Sequence, residues 1–315
     1  GPMAQFSQIF SRLQQAKLSY QSVDAVMRMP VDHPERESRI GVAMLEGNYK
    51  LRAAQFFHDP GKARSVLSID DLEIRPGEKI AVLGRIGAGK STLLHALSGM
   101  MEPGEGEVLL DDMALSQIDP SDLRRDIGQL TQESRLFHGS VRDNLILGAP
   151  QASDAEILEA LKVSGAVDFV SRMSQGLDYQ LLEDGRGLSG GQRQALMLAR
   201  LILRNPRIVL LDEPTASMDE QSERALIEAL NTWMEGRTVV LATHRMRVLD
   251  LVDRVIVVER GKVSFDGEKD AFLRRARAAG RPATPVARPR VVAGKPTAVA
   301  RVVSPTGADT GREEE

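Results

Sequence analysis

The chain has 315 residues, 42% hydrophobic and 27% charged, with 41 basic against 44 acidic side chains and a net charge of −3. That length holds about two domains, or one large domain with appendages. The balanced charge and an aromatic content of 4% give neither the basic face nor the stacking platform that nucleic acid binding uses, so no nucleic acid partner is expected. With no cysteine, a disulfide scaffold, a cysteine nucleophile and a thiolate metal site are excluded.

The opening Gly1-Pro2-Met3 reads as a protease-cleavage scar rather than a signal peptide, so the chain is expected to be a piece of a longer protein. Phe6, Ile9, Phe10, Leu13, Tyr20, Val23 and Met27 recur at three- to four-residue spacing and predict one amphipathic helix over 3–29. Pro30 and Pro34 end it, and residues 30–44 read as a linker, extended and charged across 31–39. No apolar run approaches the roughly 18–20 residues that span a bilayer.

From 45 to 278 the pattern is compact α/β. Short apolar strands at 80–83, 108–110, 208–211, 239–242 and 255–258 alternate with helical stretches at 91–98, 140–147, 192–204 and 221–230. Strands apolar on both faces suit a parallel sheet covered by helices. Residues 279–315 hold five prolines and little to bury, and between 271 and 308 there are eight basic residues and no acidic one. This composition predicts a disordered, solvated tail, with a docking strip for anionic lipid or an acidic partner as the alternative.

Three motifs carry chemistry. Gly84-Arg85-Ile86-Gly87-Ala88-Gly89-Lys90-Ser91 fits the phosphate-binding loop, placed as the mechanism requires between a strand and a helix. Its glycines let backbone N–H groups curl around phosphate oxygens at a helix N-terminus. Lys90 would neutralise β/γ-phosphate charge, the Ser91 hydroxyl would ligate Mg²⁺, and Thr92 would add an α-phosphate contact. The apolar strand 208–211 runs into Asp212 and Glu213. Asp212 suits the Mg²⁺ side, and Glu213 is placed to polarise an attacking water. Leu188-Ser189-Gly190-Gly191-Gln192 opens another helix and offers a second set of backbone donors to an anion. A chain with one phosphate-binding loop has no evident need of a second γ-phosphate site, unless two copies pair head to tail.

With LSGGQ standing between the phosphate-binding loop and a V-L-L-D-E strand, residues 45–275 resemble the nucleotide-binding domain of the ATP-binding cassette (ABC) transporters. The resemblance implies a P-loop NTPase-type α/β fold: a mainly parallel core sheet with an antiparallel β subdomain and a helical subdomain. It also implies ATP and Mg²⁺ as ligands and hydrolysis at a dimer interface. Residue by residue, Gln132 matches the glutamine that touches Mg²⁺ and the water, His244 the switch histidine on the γ-phosphate, and Ser217-Met218-Asp219 the loop that communicates across the dimer. Glu183, before the signature, resembles an exporter coupling loop but departs from its usual wording. His58 aligns with the residue that stacks on adenine, usually tyrosine, with Phe57 as the alternative. His33, His95 and His138 show no metal-ligand spacing and read as structural or exposed.

Met27-Arg28-Met29-Pro30-Val31-Asp32-His33-Pro34-Glu35, the Gly84-Arg85-Ile86-Gly87 wording, and Ile118-Asp119-Pro120-Ser121-Asp122-Leu123-Arg124-Arg125 are similar to type I secretion exporters of Gram-negative bacteria. On that resemblance the helix over 3–29 extends the last transmembrane helix. The partners are a second copy, the transporter's membrane domain and, through it, a periplasmic adaptor and outer-membrane channel. The place is the cytoplasmic face of the inner membrane. The alternatives are the ATPase of another ABC transporter (lipid, peptide or importer) and a stand-alone ATPase whose N-terminal helix packs on its own surface. A chromosome-maintenance ATPase is disfavoured because no heptad insertion separates Gln132 from Ser189.

Overall fold

A computed structural model describes residues 1–29, 39–58 and 65–278. Helix α1 (Pro2–Met27) comes first, followed by β1 (Tyr49–Phe56), β2 (Leu67–Ile74), β3 (Lys79–Leu83), α2 (Lys90–Leu97), β4 (Glu105–Leu110) and β5 (Met113–Ala114). Then come α3 (Pro120–Asp126), β6 (Ile127–Leu130), β7 (Gly139–Ser140), α4 (Val141–Ile146), α5 (Asp154–Val163), α6 (Val167–Ser171), β8 (Gln180–Leu181) and α7 (Gly190–Arg204). The chain continues through β9 (Ile208–Asp212), α8 (Glu220–Trp233), β10 (Thr238–Thr243), β11 (Arg254–Glu259), β12 (Lys262–Glu268) and α9 (Lys269–Ala278).

Ten strands form one sheet in the order β5-β4-β1-β2-β12-β11-β3-β10-β9-β6. The run β11-β3-β10-β9-β6 is parallel throughout. Its members β9 and β10 are buried at every position, as strands covered on both faces must be. The other half is an antiparallel meander of β1, β2, β4 and β5. The stretch 108–110, expected among the parallel strands, lies in β4 and pairs antiparallel with β1. A three-residue apolar run fits either kind of strand, because the pairing partner decides its direction.

Two clusters cover the sheet. One joins the meander to α2 through Tyr49, Phe56, Leu93, Leu97 and Leu210, and the other packs Leu226, Leu230, Val248 and Leu249 under β9 and β10. A third, with Leu145, Ile157, Leu161 and Leu196, holds α4 to α7 together as a helical lobe.

The incoming chain is sewn to α3. Val42 N–H donates to Asp122 Oδ2 at 2.8 Å and Leu45 N–H to Asp126 Oδ2 at 2.9 Å, while Arg125 Nη2 donates to the Val42 carbonyl at 2.9 Å. The stretch 118–125, singled out only by its wording, thus clasps the strap that leads into the domain.

Every described side chain of α1 except Asp24 is exposed, including Ile9, Leu13 and Val23. Leu18 and Val26 lie off the predicted stripe at 100° per residue, so the apolar surface spreads around the helix. Among the described residues no helix is long and apolar enough to cross a membrane. The linker residues 30–38, His33 among them, and the tail 279–315 lie outside the described residues.

Candidate functional site

Four parallel strands deliver their C-terminal ends to one place, where open α/β sheets put their ligands. β3 runs into Gly84, β6 leads to Gln132, β9 ends on Asp212 and β10 is followed by His244. A cleft of about 730 Å³ is lined by Gln132, Asp212, Glu213, His244, Gly190 and Ile86.

The loop after β3 is shaped by close approaches. A Cβ on Gly84 would sit 2.4 Å from the Val258 carbonyl oxygen, so only glycine passes β11 there. Gly89 caps α2 at φ +109°, a conformation that suits glycine, and its face is closed by Leu67 and the Val66 carbonyl at 3.3 Å. Lys90, 8% exposed, donates to the Gly84 carbonyl at 3.1 Å and more weakly to that of Arg85 at 3.4 Å. Its ammonium is thereby folded over the loop it would serve. Thr92 is buried in the first turn of α2. Gly87 and Ala88 complete the loop, and Ile86 is 97% exposed at its tip.

Ser91 Oγ donates to Asp212 Oδ2 at 2.5 Å. The other oxygen of Asp212 is buried without a hydrogen-bond partner. Burial pushes the Asp212 carboxyl up and the neighbouring Glu213 adds to the rise, against the Ser91 hydrogen bond and the Lys90 and His95 charges. A hydroxyl and a half-satisfied, desolvated carboxylate fit a divalent cation such as Mg²⁺, which takes few protein oxygens and completes its shell with water and phosphate. Among the described residues no cluster of three or more His, Asp or Glu could hold a metal alone.

Glu213, 7% exposed, follows in a left-handed conformation, φ +50°. His244 Nδ1 lies 2.6 Å from Glu213 Oε1, and Thr243 Oγ1 donates to Oε2 at 3.3 Å. Thr243 is one of several residues the sequence reading missed, although a polar, fully buried side chain ending an apolar strand is a signal in itself. The others clasp the loop after Glu213. Gln194 Nε2 donates to the Glu213 carbonyl at 2.6 Å and its Oε1 accepts from Ser217 N–H at 3.1 Å. Arg245 Nη2 donates to the Ala216 carbonyl at 2.8 Å and Nη1 to Glu223 Oε1 at 2.9 Å.

Of the other expected positions, Gly190 lines the same cleft and the rest stand apart from this cluster. Ser189 Oγ accepts from Gln192 N–H at 3.2 Å while Gln192 Oε1 accepts from Ser189 N–H at 2.9 Å, a reciprocal cap on α7. Ser189 is exposed, and Gly190 and Gly191 lie against Ser217. Asp219 caps α8 by accepting from Gln221 and Ser222 N–H. No hydrogen bond joins Ser189, Gln192 or Asp219 to Lys90, Ser91 or Asp212 among the described residues. His58 is exposed just past β1, whereas the Phe57 ring lies against Gly104, where a Cβ would come within 2.8 Å. Glu183 and His138 are exposed and His95 is half-buried.

Comparison with known proteins gives the same picture. The family model described as "ABC transporter" matches residues 67–216. The leukotoxin translocation ATP-binding proteins LktB of Mannheimia glucosida, Mannheimia haemolytica and Bibersteinia trehalosi are each 34% identical over 275 residues, 87% of this chain. The chain spans only 38% of the length of those relatives. A solved bacterial Atm1-family ABC exporter with ATP bound superposes with a TM-score of 0.76 at 27% identity, over 85% of this chain and 46% of that one. With the phosphate-binding loop, the acidic strand end and the signature all on an ABC ATPase fold, the chain belongs to the ABC transporter family and is an ATP-binding domain of it.

Proposed function

We propose that this chain is the ATP-hydrolysing motor domain of a type I protein-secretion exporter, working as a head-to-tail pair at the cytoplasmic face of the bacterial inner membrane. The observation that carries the reading is the contact of His244 with Glu213 beside the Ser91–Asp212 pair. It supports reading Glu213 as the general base, His244 as its orienting imidazole, and Ser91 at the start of α2 with Asp212 at the end of β9 as the cation-binding pair.

In this reading the Gly84–Ser91 loop takes the β- and γ-phosphates on backbone N–H groups at the start of α2, and Lys90 swings from its carbonyl partners to the phosphate oxygens. Ser91 and Asp212 hold Mg²⁺, with Gln132 at the edge of the same cleft. Bound magnesium would neutralise charge on the β/γ oxygens. Glu213 accepts the proton of the attacking water while His244 fixes the carboxylate and faces the γ-phosphate. His58, or Phe57, would lie along the adenine.

Ser189, Gly191, Gln192 and Asp219 lie outside the cleft that Asp212, Glu213 and Gly190 line, which supports a composite site with a second copy. The exposed α1 and the likeness to the LktB proteins and to a solved ABC exporter support export and a connection to a membrane domain. The periplasmic adaptor and outer-membrane channel belong to the same reading.

Replacing Glu213 by Gln tests it. The variant is expected to bind ATP, lose turnover and accumulate as an ATP-dependent dimer on gel filtration. Undiminished turnover would refute the role of Glu213.

A further inference from the structure

The segment between Glu213 and Asp219 joins the two halves of the proposed composite site: the carboxylate that acts on its own chain's nucleotide opens it, and the loop facing the paired chain closes it. Its own sequence supplies Pro214, which fixes one φ, and two turn hydrogen bonds, Ala216 N–H to the Glu213 carbonyl at 3.2 Å and Met218 N–H to that of Thr215 at 3.1 Å. It leaves β9 with a glutamate at φ +50°, a conformation few non-glycine residues hold unaided, and Ala216 and Ser217 are exposed. Two side chains from outside then hold this turn against its surroundings.

Gln194, 9% exposed, uses both ends of its amide on this segment, donating to the Glu213 carbonyl and accepting from Ser217 N–H. It lies two residues past Gln192, on the helix that the signature opens. Arg245 works from the opposite side. Its guanidinium spans the Ala216 carbonyl and the buried Glu223 carboxylate, with the Met218 carbonyl at 3.5 Å. Glu223 in turn accepts from Thr215 Oγ1 at 2.7 Å. The backbone of Arg245 donates to Thr243 Oγ1 at 3.0 Å, and the same hydroxyl donates to Glu213. Arg245 is also the next residue after His244.

We propose that Arg245 and Gln194 are positioning residues that clamp the Glu213–Asp219 segment, Arg245 tying it to the switch histidine and Gln194 to the signature helix. The inference rests on the paired-site reading above. Neither side chain is among those assigned above to the nucleotide. Gln194 acts on Glu213 through its carbonyl and Arg245 through the Ala216 carbonyl three residues on, and a displacement on the order of 1 Å passed to such a group costs about 100-fold in rate. A planar guanidinium can serve the Ala216 carbonyl and Glu223 together, whereas a lysine ammonium at this reach is a point donor that satisfies Glu223 first. A clamp that merely stabilised the fold would show itself in melting and in ATP affinity, and these readouts separate the two roles.

The test compares wild type, Arg245→Lys and the double variant Arg245→Met with Glu223→Gln, which removes the ion pair without leaving a buried carboxylate unpaired. Steady-state hydrolysis is measured against ATP and against protein concentration, with binding of a non-hydrolysable ATP analogue and melting temperature alongside. The expected result is a fall in kcat of about 10- to 100-fold in both, analogue affinity within about twofold of wild type, and a weakened dependence of the rate on protein concentration. Full kcat in Arg245→Lys, or in a folded double variant, overturns the inference while a concentration-dependent wild type leaves the paired-site reading standing. Losses of kcat that track losses of analogue affinity and melting temperature also overturn it, by making the clamp structural. A wild-type rate per chain that does not change with concentration overturns both.

Discussion

His244 Nδ1 and Glu213 Oε1 are 2.6 Å apart, at the ends of two strands that pair in parallel, β10 and β9. Thr243, the last residue of β10, donates to the other oxygen at 3.3 Å, so the carboxylate is oriented by two consecutive residues. Residues that act as a unit are not additive. His244→Ala is therefore expected to lower kcat by about 100-fold or more, and adding it to Glu213→Gln should cost little further. A double-mutant cycle on kcat checks this, and independent, multiplying losses would contradict it.

Lys90 donates to the Gly84 and Arg85 carbonyls, but the close approaches of Gly84 to Val258 and of Gly89 to Val66 set the loop's course, so its removal leaves the loop's shape largely intact and takes away its charge. Lys90→Ala should weaken ATP binding by about 100-fold, equivalent to about 2.7 kcal/mol, with little change in melting temperature. Calorimetric titration with ATP measures it. Wild-type affinity would refute the phosphate-binding role.

Asp212 is desolvated, with one buried oxygen unpartnered. A buried charge short of partners costs stability until a cation arrives. Asp212→Asn is expected to raise the melting temperature of the metal-free protein and to abolish the further rise that Mg²⁺ with ATP gives the wild type. Thermal melts with and without Mg²⁺-ATP separate the two effects; a variant still stabilised by Mg²⁺-ATP as strongly as wild type would contradict the assignment.

Asp126, 8% exposed, holds the strap through Leu45 N–H and pairs with Arg125. Burial alone would raise its carboxyl, but the hydrogen bonds from Arg125 and Leu45 and the Arg125 and Arg207 charges outweigh it and hold it below the ordinary 3.8. A depressed carboxyl contributes stability that is complete above its unfolded value and is lost as pH falls through the folded one. Asp126→Ala should cost about 2 kcal/mol near pH 7, and the gap to wild type should narrow below about pH 4. Urea unfolding at several pH values tests both statements.

Much of the site was legible because its motifs are local. Gly84 to Ser91 is one contiguous loop, and Asp212 ends a five-residue strand buried at every position, with Glu213 next after it. The antiparallel meander came only through family resemblance. In β1 and β2 burial alternates, Arg52, Asp70 and Asp71 face outward, and Ala53 breaks the period at φ +45° beside a register shift. A period of two interrupted by a bulge leaves little signal in so short a window.

Gln194 and Arg245 were missed for a different reason. Gln194 meets the Glu213 carbonyl 19 positions away and Arg245 that of Ala216 29 positions away. Main-chain acceptors leave no mark on residue type, so such contacts emerge only once β9, β10 and α7 are packed together. The strap is similar: Asp122 and Asp126 read as ordinary helix acids until Val42 and Leu45 are seen donating to them across 80 and 81 positions.

The central claim is a composite site with Glu213 as its base, and the most direct measurement is steady-state ATP hydrolysis with Mg²⁺ against protein concentration, for wild type and Glu213→Gln. A rate that rises more steeply than concentration in the wild type and vanishes in the variant is the predicted result. A rate strictly proportional to concentration, over a range where gel filtration shows a monomer, would mean that one copy hydrolyses alone and would contradict the account.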